Sequence, residues 1–262
     1  MREIRLCDDA ELSKVHQLCE DNGLGIEIQG FYNPNLIDTE ESDKLLSKYK
    51  NALANFKGGK SLHAPFWDLN LGSKNPDVRK ATMKAFNYAY RVAKKLGCTE
   101  IVVHNGFIPN TSFYEGWVRN ATAFWQEFFS DKDDSITMMI ENQCEEDSEV
   151  LKMEIDSVND PRLKVCLDIG HAEIFGDKTN AVEMIKTLGK HLQALHIHDN
   201  DQWHDSHQLP FTMKMDFEAI VQALKDINYQ GDFTLEADQY LKALDVEDIF
   251  DGYKEMARCA RK

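Results

Sequence analysis

At 262 residues, with 42% hydrophobic and 29% charged residues, the chain has the composition and length of one globular domain with a substantial core. Its 45 acidic residues outnumber 30 basic ones for a net charge of −15, which argues against nucleic acid as partner, because a phosphate backbone calls for a basic patch. No run reaches the roughly 20 apolar residues of a membrane span, and MREIRLCDDAELSK lacks signal-peptide regions, so a cytoplasmic protein acting on a small polar molecule is expected.

Short β-branched runs alternate with longer amphipathic ones, which is the pattern of a parallel sheet with crossover helices. In chain order the strands are expected over 4–7, 25–28, 61–64, 100–104, 136–141, 163–168, 195–198 and 233–236. The helices between and after them are expected over 10–19, 40–56, 76–96, 113–129, 147–158, 180–191, 216–227 and 246–260. The helix over 76–96 is the best marked, with Pro76 in its first turn and Gly97 just past its end. Eight such repeats without a linker or low-complexity tract predict an α/β fold, a (β/α)8 TIM barrel, as a single domain over 1–262. Cys7, Cys19, Cys98, Cys144, Cys166 and Cys259 are scattered without a C-x-x-C pair and read as reduced, mostly buried thiols.

Polar residues fall at the strand ends. Strand five closes on Glu141-Asn142, strand six on Asp168-Ile169-Gly170-His171, strand seven on His196-Ile197-His198-Asp199 and strand eight on Glu236, while strands three and four end in His63 and His104. In such barrels the C-terminal strand ends converge on the face that carries the active site. Carboxylates gathered there repel one another unless a cation coordinates them. Two Glu, one Asp and one strand-seven His suit Mn2+, Co2+, Mg2+ or Zn2+. Glu27, inside an apolar strand, is assigned either to a substrate hydroxyl or to a neighbouring Lys or Arg. Phe66, Trp67 and Phe107, just after the histidines, are candidates for an apolar wall against a bound small molecule or for core. Trp203 lies in a His-rich loop that could cover the site, and His204 reads as a solvated loop residue. Lys214 and Arg119 are the possible cations for a substrate phosphate, and neither is a convincing seat for one.

Taken together, Ile140-Glu141-Asn142, Leu167-Asp168-Ile169-Gly170-His171-Ala172, His196-Ile197-His198-Asp199, Asp205-Ser206-His207 and Leu235-Glu236 resemble the xylose-isomerase-like barrels, which include sugar phosphate isomerases/epimerases and endonuclease IV. The resemblance implies a metal held by Glu141, Asp168, His196 and Glu236, with the two glutamates also exchanging protons with a ketose or sugar phosphate of carbohydrate metabolism. It points to His171 as a contact to substrate hydroxyls. Matching H-x-x-D to the family motif selects His196 over His198 as the ligand, leaving His198 to substrate or outer contact. His63, His104, Asp205, His207 and Trp67 complete the expected substrate site. Two other chemistries stay open: a keto-sugar or inositol dehydratase or lyase, and an endonuclease IV-like zinc phosphodiesterase, for which His63, His104, His171, Asp205 and His207 would join the four core ligands. The family also leaves room for a homo-oligomer.

Overall fold

Alternation along eight short strands decides which side chains enter the barrel and which meet the helices. The computed structural model describes residues 3–8, 12–111, 113–176 and 179–237. Its strands are β1 Ile4–Cys7, β2 Gly25–Ile28, β3 Lys60–His63, β4 Glu100–His104, β5 Thr137–Glu141, β6 Leu163–Asp168, β7 Leu192–Ile197 and β8 Asp232–Leu235. All are parallel, each pairs with its sequence neighbours, and β1 closes the barrel against β8. The helices are α1 Leu12–Asn22, α2 Glu40–Ala52, α3 Pro76–Leu96, α4 Tyr114–Phe129, α5 Glu149–Val158, α6 Ile169–Phe175, α7 Ala181–Leu188 and α8 Phe217–Asp226. This is the expected (β/α)8 barrel. The helix expected over 246–260, and Cys259 within it, lie outside the described residues.

One row of each strand is apolar and joins the main core with the helices: Leu6, Ile26, Ile28, Leu62, Ile101, Val103, Ile140, Leu167, Leu195, Ile197, Phe233 and Leu235 are all buried there. The other row lines the barrel interior and is layered. At the N-terminal end, Arg5 of β1 meets Glu100 at the start of β4 (2.5 Å) and Asp232 at the start of β8 (2.9 Å). Above them Val102, Met139, Cys166 and Ala194 form a small apolar cluster of their own. Above that stand His104, Glu141, Asp168 and His196, where the registers pair His104 with Glu141 and Asp168 with His196. The charged floor and apolar plug make the barrel a packed core that opens at one end.

Local signals set the helix boundaries. Asn75 caps α3 by accepting from Asp77 N, and Gly97 ends it in the left-handed region at φ 72°, where a residue lacking Cβ is unstrained. Thr39 caps α2, whose first turn carries Glu40, Glu41 and Asp43 against the positive end of the helix dipole. Several boundaries shift, among them the first helix, expected over 10–19 and found at Leu12–Asn22. The helix expected over 40–56 stops at Ala52; the one expected over 180–191 breaks after Leu188 into a 3-10 turn, Gly189–His191; and β7 starts at Leu192, three residues before the expected start. The short α6 was not anticipated: the Asp168 side chain caps it by accepting from His171 N at 2.7 Å. Glu236 stands one residue past β8, its N–H donating to the Ile197 carbonyl at 3.0 Å.

Behind the barrel Glu154 of α5 is fully buried, accepting from Trp125 Nε1 of α4 (2.6 Å) and from Asn105 Nδ2, next to His104 (3.3 Å). Burial, opposed by those two hydrogen bonds, pushes its pKa up to about 8, and burial likewise pushes the nearby Glu145 up to about 7. The folded state therefore binds the proton more tightly than the unfolded chain, where the value is 4.5. The stability linked to it is full below that value and lost as pH rises toward 8. Denaturant midpoints should fall between about pH 5 and pH 8, and Glu154→Gln, which keeps the acceptor for Trp125, should flatten most of that decline. An unchanged slope in the variant would exclude Glu154 as its source.

Candidate metal centre

Because β5, β6 and β7 place Glu141, Asp168 and His196 at the top of the inward row, and Glu236 follows β8, their donor atoms converge to within 4.8 Å of one another. His196 Nδ1 lies 3.1 Å from Glu141 Oε1 and 2.8 Å from Glu236 Oε2. Two further groups of the same kind adjoin this one. His63 and His104 bring their Nε2 atoms to 3.2 and 3.1 Å from Glu141 Oε2. His171, His198, Asp205 and His207 form the third, with Asp205 held between His171 Nε2 and His207 Nε2, each at 3.2 Å. The Glu141 carboxylate thus faces one group with each oxygen.

Three of the imidazoles are oriented from behind. His63 Nδ1 donates to the Ala64 carbonyl, His171 Nδ1 to that of Asn142 and His207 Nδ1 to that of Glu236, each at 2.9 Å. A carbonyl only accepts, so each ring keeps its proton on Nδ1 and turns Nε2 toward the carboxylates as a metal ligand would. Glu27 resolves in the same way: fully buried, it lies 3.0 Å from His196 Nε2 and accepts from Ser61 Oγ, and it neither lines the cavity nor pairs with Lys or Arg.

The donor set fits a divalent ion. Asp168 Oδ1 takes the His171 N–H and contacts His198 Nε2 at 3.1 Å, while the buried Oδ2 has no hydrogen-bond partner. Glu236 Oε2 is close to His196 but unaligned for a hydrogen bond, so it too is left over. Orphaned buried carboxylate oxygens are costly, and coordination removes that cost. Without the ion the imidazoles carry the positive charge. Burial opposes ionisation of Glu141, yet His196 and His104 hold it well below the usual carboxylate range. Burial likewise opposes charging His196 and His171, yet the surrounding acids hold both well above an ordinary imidazole. Burial also opposes His207, which Asp205 and Glu236 carry up to about 10. A cation in these groups displaces those protons.

Above the centre opens a cavity of about 510 Å³, lined by His63, His104, Glu141, His171, Asp205, His207 and Glu236 together with Asp8, Gln29, Gly30, Tyr32, Tyr49, Phe66 and Gln143. Among the described residues no Lys or Arg lines it; Lys214 and Arg119 lie elsewhere. One aromatic assignment changes, Trp67, and two open alternatives are resolved. Trp67 stays 47% exposed outside the lining, edge-on to Tyr32; Phe107 is core against Trp117; and the aromatic wall is Phe66 stacked on Tyr32 at 5.8 Å. His198 is wholly buried beneath His207, ring on ring at 4.0 Å, and sits outside the lining, so the structure places it in the third group rather than against a substrate. Gly170 makes room for it, since a Cβ there would come within 2.0 Å of the His198 ring. Trp203 is 79% exposed, and His204 pairs with Asp201 at the surface. Sequence reading missed Asp8, Gln29, Tyr32 and Tyr49. Only Gln29 carried a signal, as the next inward position after Glu27.

A family model described as xylose isomerase-like TIM barrel matches residues 17–262. An uncharacterised protein of Methanocaldococcus jannaschii is 30% identical over 74% of this chain and 70% of its own length. The probable endonuclease 4 of Aquifex aeolicus is 26% identical over 61% of this chain and 57% of its own. Among solved structures, a D-tagatose 3-epimerase-like protein superposes with a TM-score of 0.76 at 22% identity, covering 98% of both chains. A Thermus thermophilus protein soaked with zinc chloride superposes at 0.75 with 23% identity, again covering 98% of both. No helix among the described residues is long and apolar enough to cross a membrane.

Chelator competition with Zn2+ should rank the variants. His196→Ala should lose more affinity than Glu27→Gln, which removes only an orienting partner and should cost about 10- to 100-fold. Trp67→Ala should match the native protein. Native affinity in His196→Ala would remove it from the centre.

Proposed function

Since the chain belongs to the xylose isomerase-like TIM barrel family, we propose that it is a metal-dependent isomerase or epimerase of a small sugar. The observation that carries this reading is the pairing of Glu141 and Glu236 about His196 in the wall of one small cavity that, among the described residues, has no Lys or Arg. A volume of about 510 Å³ suits a small molecule. The mixture of imidazoles, amides and a Tyr32–Phe66 wall suits hydroxyls on an apolar ring face, and the lack of cations gives a phosphate no seat.

Glu141, Asp168, His196 and Glu236 would hold the divalent ion, which when bound stabilises negative charge developing on a substrate carbonyl oxygen. One of the two glutamates takes the proton from the carbon beside the carbonyl, and the other delivers a proton to the opposite side. Return to the same carbon inverts it; return to the former carbonyl carbon, with a hydroxyl proton leaving, moves the carbonyl along the chain. Asp168, capping α6 and contacting His198, fixes the centre from below. His63, His104, His171 and His207 line the cavity and are positioned to hold substrate hydroxyls.

A second reading draws on the two outer groups, His63–His104–Glu141 and His171–His198–Asp205–His207. With ions in all three groups the site would be a multinuclear phosphoester hydrolase, the chemistry of endonuclease 4. The acidic chain and a cavity lined by four carboxylates, with no Lys or Arg among the described residues, weigh against a DNA substrate.

In D2O, the Mn2+-loaded protein should exchange the proton beside the carbonyl of a ketose, followed by NMR. Glu141→Gln and Glu236→Gln should each lower the rate by about 10²–10⁴-fold. Near-native exchange in either variant would sink the two-glutamate mechanism. Two or more ions per chain together with hydrolysis of a phosphodiester, and no exchange, would establish the hydrolase instead.

A further inference from the structure

Of the four carboxylates lining the cavity, Glu141, Asp205 and Glu236 belong to the metal groups and Asp8 does not. Asp8 follows β1 directly, its N–H donating to the Glu27 carbonyl at 3.1 Å. The side chain is 4% exposed. Oδ1 accepts the Gln29 N–H at 2.5 Å, the Tyr49 hydroxyl adds a hydrogen bond to the carboxylate, and Oδ2 is buried. Burial raises its pKa to about 6, against the hydrogen bonds from Tyr49 and Gln29. Arg5 does not neutralise it, being committed to the floor of the barrel with Glu100 and Asp232, and Lys48 lowers its pKa only as the smallest of the named effects.

Its neighbours are built around that carboxylate. Tyr49 of α2 is buried with its hydroxyl turned to Asp8 and held by the Gly30 amide. Gly30 permits this approach, since a Cβ there would come within 2.5 Å of the Tyr49 hydroxyl. Gln29 bridges to the metal centre, its Nε2 lying 3.2 Å from Glu236 Oε1 and 3.3 Å from Glu27 Oε1. The chain thus keeps a nearly dry carboxylate in the cavity wall, tied through Gln29, whose backbone N–H it accepts and whose side-chain amide reaches a proposed proton-transfer glutamate. An acceptor of this kind is costly unless a ligand donates to it.

We propose that Asp8, positioned by Gln29 and Tyr49, is a specificity-determining residue that binds one hydroxyl of an uncharged polyol end of the substrate. This rests on the reading of the cavity as a sugar site and narrows it: the end of the substrate against Asp8 is a free hydroxyl and not a phosphate, which the carboxylate repels.

The test uses the Mn2+-loaded full chain, with D-fructose, its mono-deoxy analogues and fructose 6-phosphate as probes, reading binding by calorimetry and turnover by proton exchange in D2O. Asp8→Asn keeps the acceptor for Gln29 N and should match the native protein in metal content and melting temperature. It should bind D-fructose about 10- to 100-fold more weakly. The native protein should lose a similar factor against one mono-deoxy analogue, and Asp8→Asn should not distinguish that analogue from D-fructose. Tyr49→Phe should give a smaller loss of the same kind. Native-like affinity in Asp8→Asn, native-like discrimination by it, or no polyol binding by the native protein would each overturn the assignment. Asp8-dependent binding without proton exchange would leave it standing and remove the isomerase reading instead.

Discussion

Charge enclosed by a ring of strands has to be balanced inside that ring. The inward row of this barrel carries Arg5, Glu27, Glu100, Asp232, Glu141, Asp168 and four imidazoles counted over His63, His104, His196 and His198, nearly all out of reach of solvent. Helices outside the strands cannot neutralise them, since the outward row facing those helices is apolar. The molecule divides the load. One end of the barrel is balanced by a single guanidinium between two carboxylates, and the other by carboxylate–imidazole pairs whose geometry also serves a cation. Between them Val102, Met139, Cys166 and Ala194 keep the two charged layers apart.

That division explains the economy of the centre. Asp168 is at once a strand end, the cap of α6 and a member of the inner donor group. Glu141 faces His196 with one oxygen and His63 and His104 with the other. A change at either residue therefore disturbs backbone, charge balance and ligand geometry together. Gly170 adds a steric condition, because only a residue without Cβ leaves His198 its place beneath His207.

The barrel and the residues at its strand ends were legible because both obey the period of two: a polar residue ending an apolar strand has one place to go. The same rule, carried one position past β2, would have reached Gln29. It could not separate Phe66 from Trp67, since their directions are set by the loop after β3, nor find Tyr49, which arrives from α2 by packing. H-x-H in strand seven puts both rings on the inward side, and only the closeness of Glu141 and Glu236 to His196, and of Asp205 and His207 to His198, assigns them to different groups. Sequence marks Asp168-Ile169-Gly170-His171 only as a strand end and so does not reveal α6, whose cap is that aspartate.

The floor of Arg5, Glu100 and Asp232 has one more effect. With that end sealed by charge and the layer above it filled, the described residues leave the carboxylates open from the C-terminal end of the barrel. On the isomerase reading proposed above, a product would leave by the way the next substrate arrives. Bound product would then compete with substrate for the same opening.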